Sequence, residues 1–206
     1  MTNNFDTAII NSGLGNLFSV EQACLAVGLK PLITDNPDDI KKAKALILPG
    51  VGAFGLAMES LHKKGLINPI KESINSGKPF LGICLGMQLL FTTSKEFGDH
   101  KGLNIIEGEV LPFPKLDNNG AKVRVPLISW RKNILEKNKN EFMYFVHSYY
   151  CVPKNKKLVR SVSTYAGIEY CTSIADKNIT AVQYHPEKSG DLGIKFYAEW
   201  AKGVTK

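Results

Sequence analysis

No stretch of this 206-residue sequence is long and apolar enough to cross a bilayer as a helix. The longest apolar run, Phe80 to Phe91, is broken by glycines and by Gln88. Met1 to Ile10 lacks a basic segment followed by an apolar one, so no secretory leader is expected. Only four cysteines occur, and no two have the C-x-x-C spacing of a zinc site. Four cysteines in a chain this long, without framework spacing, fit a reduced, cytoplasmic setting. Repeats and low-complexity linkers are missing as well, so residues 1–206 are expected to form one domain. The net charge is +7, but no basic stripe is interleaved with aromatics. The lysines gather in small clusters (Lys41-Lys42, Lys137 to Lys139, Lys154 to Lys157) that read as solvated surface. Neither nucleic acid nor membrane is an expected partner, and no metal or cofactor is expected.

What is present suffices for a core: 44% of the residues are hydrophobic and 22% charged, the balance of an ordinary folded domain. Asp6 to Asn11 reads as an apolar strand, Ser12 to Asn16 as a turn, and Leu17 to Val27 as a helix stopped by Gly28. Gly13 and Gly15, with Asp35 some way on, invite a dinucleotide-binding reading. The third glycine position holds Phe18, so the fingerprint is incomplete. The turn is better read as backbone brought close to something. Strands are expected at Pro31 to Thr34 and Ala45 to Leu48. Helices are expected from near Ala53 to Lys64-Gly65 and from Pro69 to about Ser76. This alternation predicts a mostly parallel sheet covered by helices on both faces. After Gly98 the pattern turns strand-rich: Leu103 to Val110, Lys122 to Val125, Glu141 to Val146, Lys157 to Ser163, Ile168 to Ser173 and Ile179 to Gln183. One further helix follows, Leu192 to Lys202. The fold class is therefore α/β with a partly antiparallel C-terminal half.

The chain is organised around Phe80 to Gln88. Phe80 to Ile83 reads as a buried strand and Leu85 to Phe91 as a helix, with Cys84 at the junction and Gly82 and Gly86 on either side. Gly-x-Cys-x-Gly is the pattern of a nucleophile elbow with cysteine in the reactive position. The helix start directs backbone N–H groups at the sulfur, which favours thiolate, the nucleophilic form. Cys24, Cys151 and Cys171 read as small buried hydrophobes.

A cysteine nucleophile needs a base, and the base an orienting partner. Ile179 to Tyr184 is a strand that delivers His185-Pro186-Glu187 at its carboxyl end, where the sites of doubly wound sheets gather. Glu187 would fix the His185 tautomer and stabilise the imidazolium. His62 and His100 fall in a helix and a polar loop. His147 reads as structural, with a catalytic role the minority reading. The N–H groups of Leu85 and of the Pro49-Gly50-Val51-Gly52 turn, Val51 in particular, are candidates for an oxyanion hole.

Gly82-Ile83-Cys84-Leu85-Gly86-Met87-Gln88, with Gln183-Tyr184-His185-Pro186-Glu187, resembles the class I glutamine amidotransferases. Pro49 to Gly55, Phe145 to Tyr150 and His185 to Gly190 are similar, more particularly, to the glutaminase subunits of imidazole glycerol phosphate synthases. The resemblance implies that Cys84, His185 and Glu187 hydrolyse L-glutamine through a thioester. It also implies that Gly50, Gly52, Gln88, Ser148 and Tyr149 hold the substrate. The partner it implies is a (β/α)₈ barrel cyclase that receives the ammonia as one half of a heterodimer. Asn16, Trp130 and Lys188 match positions near that barrel, with plain core filling the competing reading of Trp130. Two departures are visible. Asn11-Ser12-Gly13 stands where the family usually has Asp-Tyr-Gly. Pro126-Leu127-Ile128-Ser129-Trp130-Arg131 stands where it usually has Pro-His-(Ile/Met)-Gly-Trp-Asn. They leave open a different ammonia acceptor, such as an amidino-sugar pathway. A catalytically idle binding subunit would lack a triad member, and none is lacking.

Overall fold

A computed structural model describes residues 5–135 and 140–205. The lysine cluster Lys137 to Lys139 lies outside the described residues. Four parallel pairings build the first part of the sheet. β1 (Thr7–Ile10) lies between β2 (Pro31–Thr34) and β3 (Ala45–Gly50). β4 (Phe80–Cys84) lies between β3 and β13 (Ile179–Val182). Every residue of β1, β3 and β4 is buried. That is why these segments read as unbroken apolar runs: a parallel strand with helices on both sides has no solvent face.

Helices cover the two faces separately. α1 (Leu17–Ala26) and α6 (Gly190–Ala201) bury Val20, Ala23, Cys24, Tyr197 and Trp200 against Ile9, Ile47 and Ile83. On the other face lie α2 (Pro37–Lys42), α3 (Phe54–Lys63), α4 (Ile67–Asn75) and α5 (Leu85–Gln88). They pack Ile40, Leu61, Ile70 and Met87 onto Ala8, Leu46 and Leu48. Each such buried aliphatic side chain contributes about 1.5–3 kcal/mol.

Beyond β13 the sheet turns mainly antiparallel. The order continues through β12 (Ile168–Asp176), β10 (Tyr149–Pro153), β7 (Ile106–Pro112), β5 (Phe91–Ser94) and β6 (His100–Lys101). β7 and β5 form one more parallel pair. A branch leaves β12 through β11 (Val159–Tyr165), β8 (Leu127–Leu135) and β9 (Asn140–His147).

Several elements differ from the sequence expectation. The helix after Cys84 ends at Gln88 rather than Phe91. The Leu89 carbonyl accepts from Leu103 N–H, and the Leu90 carbonyl from Ile105 and Ile106 N–H. The downstream chain thus takes groups a longer helix would have used, and Phe91 starts a strand. Lys122 to Val125 is not a strand; only an isolated bridge joins Leu116 to Lys122. The strand lies further on, at β8. α2 was not expected, although Asn36 caps it, Pro37 opens it, Asp38 and Asp39 occupy its first turn and Lys41 and Lys42 its last.

Candidate active site

Cys84 ends β4 with φ 55° and ψ −107°, a conformation L residues seldom adopt. Such backbone costs about 1–3 kcal/mol and persists only where its surroundings enforce it. The enforcement is visible on both sides. A Cβ at Gly86 would overlap the Leu48 carbonyl oxygen, and one at Gly82 would lie 2.9 Å from the Gly86 oxygen. The turn from strand to helix can therefore close only with glycine at both places. The thiol that results is 5% exposed.

The register brings the other pieces to the same edge. Gly50 is the Cα partner of Cys84 in the β3–β4 ladder, and Val182 that of Ile83 in the β13–β4 ladder. β13 ends one residue before Gln183, and His185 follows at the mouth of a 3-10 turn, Pro186–Lys188. His185 Nδ1–H donates to Glu187 Oε1 at 2.7 Å, with both side chains almost wholly buried. Burial alone would push the imidazole toward its neutral form. The Cys84 sulfur and then the Glu187 carboxylate outweigh it and raise the ring to about 10. His185 Nε2 is buried and, the Cys84 sulfur apart, has no hydrogen-bond partner, and so is available to a reacting group. The His185 backbone is tied down as well. Its N–H donates to the Tyr144 carbonyl at 2.9 Å, its carbonyl accepts from Ser189 Oγ at 2.7 Å, and that oxygen accepts from Tyr144 N–H at 3.1 Å.

A cleft of about 400 Å³ opens over the sulfur, lined by Val51, Gly52, Leu85, Gln88, Ser148 and Tyr149 among others. Gly52 has φ +93°, so the turn after β3 follows a path open to glycine. The Gly13 to Gly15 turn comes close to this second turn: a Cβ on Gly15 would lie 3.8 Å from Gly50 Cα. Asp35, the acid of the dinucleotide reading, is instead paired with Lys64 at 2.9 Å. Gln88 Nε2 donates to the Tyr149 carbonyl and to Gln183 Oε1, both at 3.1 Å. Both its hydrogens are thus committed within the protein, and only its oxygen is left to accept from a ligand.

Sequence reasoning missed Glu96. It lies in the cleft wall, 8% exposed, with Oε2 accepting from Phe54 N–H at 2.5 Å. Burial raises its carboxyl above the ordinary range, against the Phe54 hydrogen bond and the charge of His100. Nothing local marks it in the sequence. It lies beyond β5, a strand that the sequence pattern does not predict. His147 also lines the cleft. Its Nδ1–H donates to the Tyr149 carbonyl at 2.8 Å, and rings of Phe113, Phe145 and Tyr170 surround it. Burial holds it neutral, down to about 4. The other cysteines are unsuited to nucleophilic work, since burial pushes Cys24 and Cys171 up to about 12 and Cys151 well above its usual value.

Trp130 is 51% exposed and does not fill the core. It meets the Tyr144 ring edge-on at 5.9 Å, and Lys188 Nζ lies 6.0 Å above the same ring. Trp130 and Lys188 thus share one surface patch through Tyr144, whose peptide is bonded to His185. Asn16 is exposed and caps α1, accepting from Ser19 N–H at 3.4 Å. Among the described residues no group of histidine, cysteine and acidic side chains is arranged to hold a metal.

The family described as glutamine amidotransferase class-I matches residues 8–199. The chain is 42% identical over 196 residues to imidazole glycerol phosphate synthase subunit HisH of Syntrophotalea carbinolica, covering 91% of this chain and 95% of the relative. It is 42% identical over 209 residues to the protein of the same name from Aquifex aeolicus, covering 97% and 98%. Among solved structures, one titled crystal structure of glutamine amidotransferase superposes with a TM-score of 0.74 at 15% identity, covering 97% of this chain and 99% of the other. PurLQS from Thermotoga maritima superposes at 0.69 and 18% identity, covering 98% and 96%. At such identities the structures speak for the fold alone.

Proposed function

The chain belongs to the class I glutamine amidotransferases, and from that premise we propose that it is the glutaminase subunit of an imidazole glycerol phosphate synthase. It hydrolyses L-glutamine to L-glutamate and ammonia, as one glutaminase domain without a cofactor. The observation that carries the reading is the meeting of a strained Gly-x-Cys-x-Gly turn with a buried His185–Glu187 pair at the carboxyl ends of neighbouring parallel strands.

In this reading Cys84 Sγ attacks the side-chain amide carbon of glutamine. The S–C bond forms and the carbonyl electron pair moves onto oxygen, where the N–H groups of Leu85 and Val51 receive it. His185 Nε2 gives its proton to the amide nitrogen, the C–N bond breaks, and ammonia leaves a thioester. Water then gives a proton to His185 and adds to the thioester. Collapse of that adduct expels Cys84 and frees glutamate. Glu187 holds the ring through Nδ1 at each stage. Gly50 and Gly52 let the backbone approach the substrate, and the Ser148-Tyr149 segment forms the opposite wall. Glu96 is suited to the substrate's α-ammonium group, whose charge would offset the cost of burying the carboxylate.

The ammonia goes to a (β/α)₈ barrel cyclase subunit in a 1:1 heterodimer, and the exposed Trp130, Lys188 and Asn16 belong to the contact surface. Support comes from the relatives' names, which call each a subunit of a synthase. Ammonia released to water is protonated and loses its nucleophilic lone pair, so release is worth coupling to a bound acceptor. The test is glutamate production with and without excess histidine-pathway cyclase. Strong stimulation supports the reading. Full activity without a partner would remove the coupling. Binding to an amidino-sugar synthetase but not to the cyclase would move the acceptor to that pathway, consistent with the altered Asn11-Ser12 and Leu127-Ile128-Ser129 positions.

A further inference from the structure

The polar atoms around the Cys84 sulfur form a chain whose direction is set by one main-chain group. The Tyr149 carbonyl can only accept, so the Gln88 atom 3.1 Å away is the amide nitrogen. The second hydrogen of that nitrogen faces Gln183 Oε1, also at 3.1 Å. Gln183 therefore turns its oxygen to Gln88 and its Nε2 to the other side, 3.6 Å from Cys84 Sγ. Each assignment leaves the next no choice, and a hydrogen-bond donor ends up directed at the sulfur. Gln183 is fully buried, and its own N–H donates to the Thr172 carbonyl at 2.8 Å. Its amide cannot exchange partners with water.

The sulfur has a second polar neighbour of opposite kind, the Val146 carbonyl at 3.8 Å. A thiol can donate to that oxygen. A thiolate is opposed by it and needs a donor instead. The two forms of the sulfur thus have separate partners: the Val146 carbonyl suits the thiol, and the Gln183 amide joins the His185 ring in serving the charged form. We propose that Gln183 is a positioning residue that holds the Cys84 sulfur as thiolate, with its amide oriented by Gln88. The inference rests on the reading of Cys84 as nucleophile. It gives Gln183 work at two points. It stabilises the anion before attack, and again when thioester hydrolysis expels the sulfur with the S–C electron pair. Because the Tyr149 carbonyl that starts the chain belongs to the cleft wall, the substrate seat and the nucleophile share one run of hydrogen bonds.

The test is the pH dependence of Cys84 alkylation by iodoacetamide in the full chain, read by peptide mass spectrometry. Gln183→Glu keeps the shape and still accepts from Gln88, but offers the sulfur no donor. Gln183→Met removes both hydrogen bonds. Both variants should alkylate about tenfold more slowly at pH 7, with the profile displaced to higher pH. Circular dichroism and melting should remain close to wild type. An unchanged profile in either folded variant overturns the proposal. Failure of both to fold also overturns it, because a role confined to the sulfur leaves packing intact. If wild-type Cys84 reacts no faster than Cys24, it is the nucleophile reading itself that fails.

Discussion

Gly50 stands directly opposite Cys84 in the parallel ladder between β3 and β4. The consequence is geometric. The turn that leaves Gly50 cannot avoid the space above the sulfur, and Val51 and Gly52 therefore line the same cleft as the thiol. The proposed nucleophile and the turn proposed to supply an oxyanion donor are brought together by strand register, before any side chain is considered.

Cys84→Ala should abolish glutamate release, with turnover falling by roughly 10⁴ to 10⁶. The alanine fits the same space, so the melting temperature should change little. Cys24→Ala should keep activity, with its effect confined to stability. A partner-stimulated glutaminase assay on both variants decides the matter: substantial turnover by the Cys84 variant would sink the assignment.

Glu187→Gln should reduce turnover by about 10³ to 10⁴. The amide can still contact Nδ1 at the observed 2.7 Å, but it no longer balances the imidazolium and can favour the wrong tautomer. The measurement is steady-state kcat in the activated complex, and a loss under tenfold would show that the carboxylate charge is not needed.

Glu96→Gln should act on binding. Removing the charge expected to face the substrate ammonium should raise KM by about 10- to 100-fold, with kcat changed far less. Titration with glutamine separates the two constants. A fall in kcat at unchanged KM would place Glu96 elsewhere in the reaction.

His147 should make the protein acid-sensitive. Its folded value near 4 lies below the ordinary 6.5. Between those values the unfolded chain binds the proton and the folded chain does not, so stability falls as pH drops through that window. The loss amounts to roughly 3 kcal/mol at pH 4. His147→Asn can keep the hydrogen bond to Tyr149 without the titration. Urea melts at pH 7 and pH 4.5 should show a smaller acid loss in the variant, and equal losses would refute the assignment.

The parallel half of the fold was legible because its strands are buried on both sides and so appear as plain apolar runs. The elbow and His185-Pro186-Glu187 were legible because each is a short local pattern at a strand end. The boundary after Gln88 was not, since an apolar run buried on all sides has neither a helix period nor a strand period. The carbonyls that end α5 are taken by residues 103–106, which no local window contains. β8 escaped for a different reason. Ile128 and Trp130 are 60% and 51% exposed, so its outward positions carry large apolar groups and the usual alternation is lost. Glu96 acquires its surroundings only through tertiary contacts, and no spacing rule reaches it; Gln183 stands in the local run before His185, but its side-chain partners are set by tertiary contacts.

β4 has β3 on one side and β13 on the other, and this has a bearing on biosynthesis. The ribosome makes the strand that ends in Cys84 well before its second neighbour. Until Ile179 to Val182 has emerged, β4 presents a bare hydrogen-bonding edge, and His185 and Glu187 do not yet exist. A product terminated before Ile179 therefore carries Cys84 without its proposed base, and an open strand edge of the kind that recruits other chains. The chain from Ile179 onward both completes the proposed triad and closes the sheet beside Cys84.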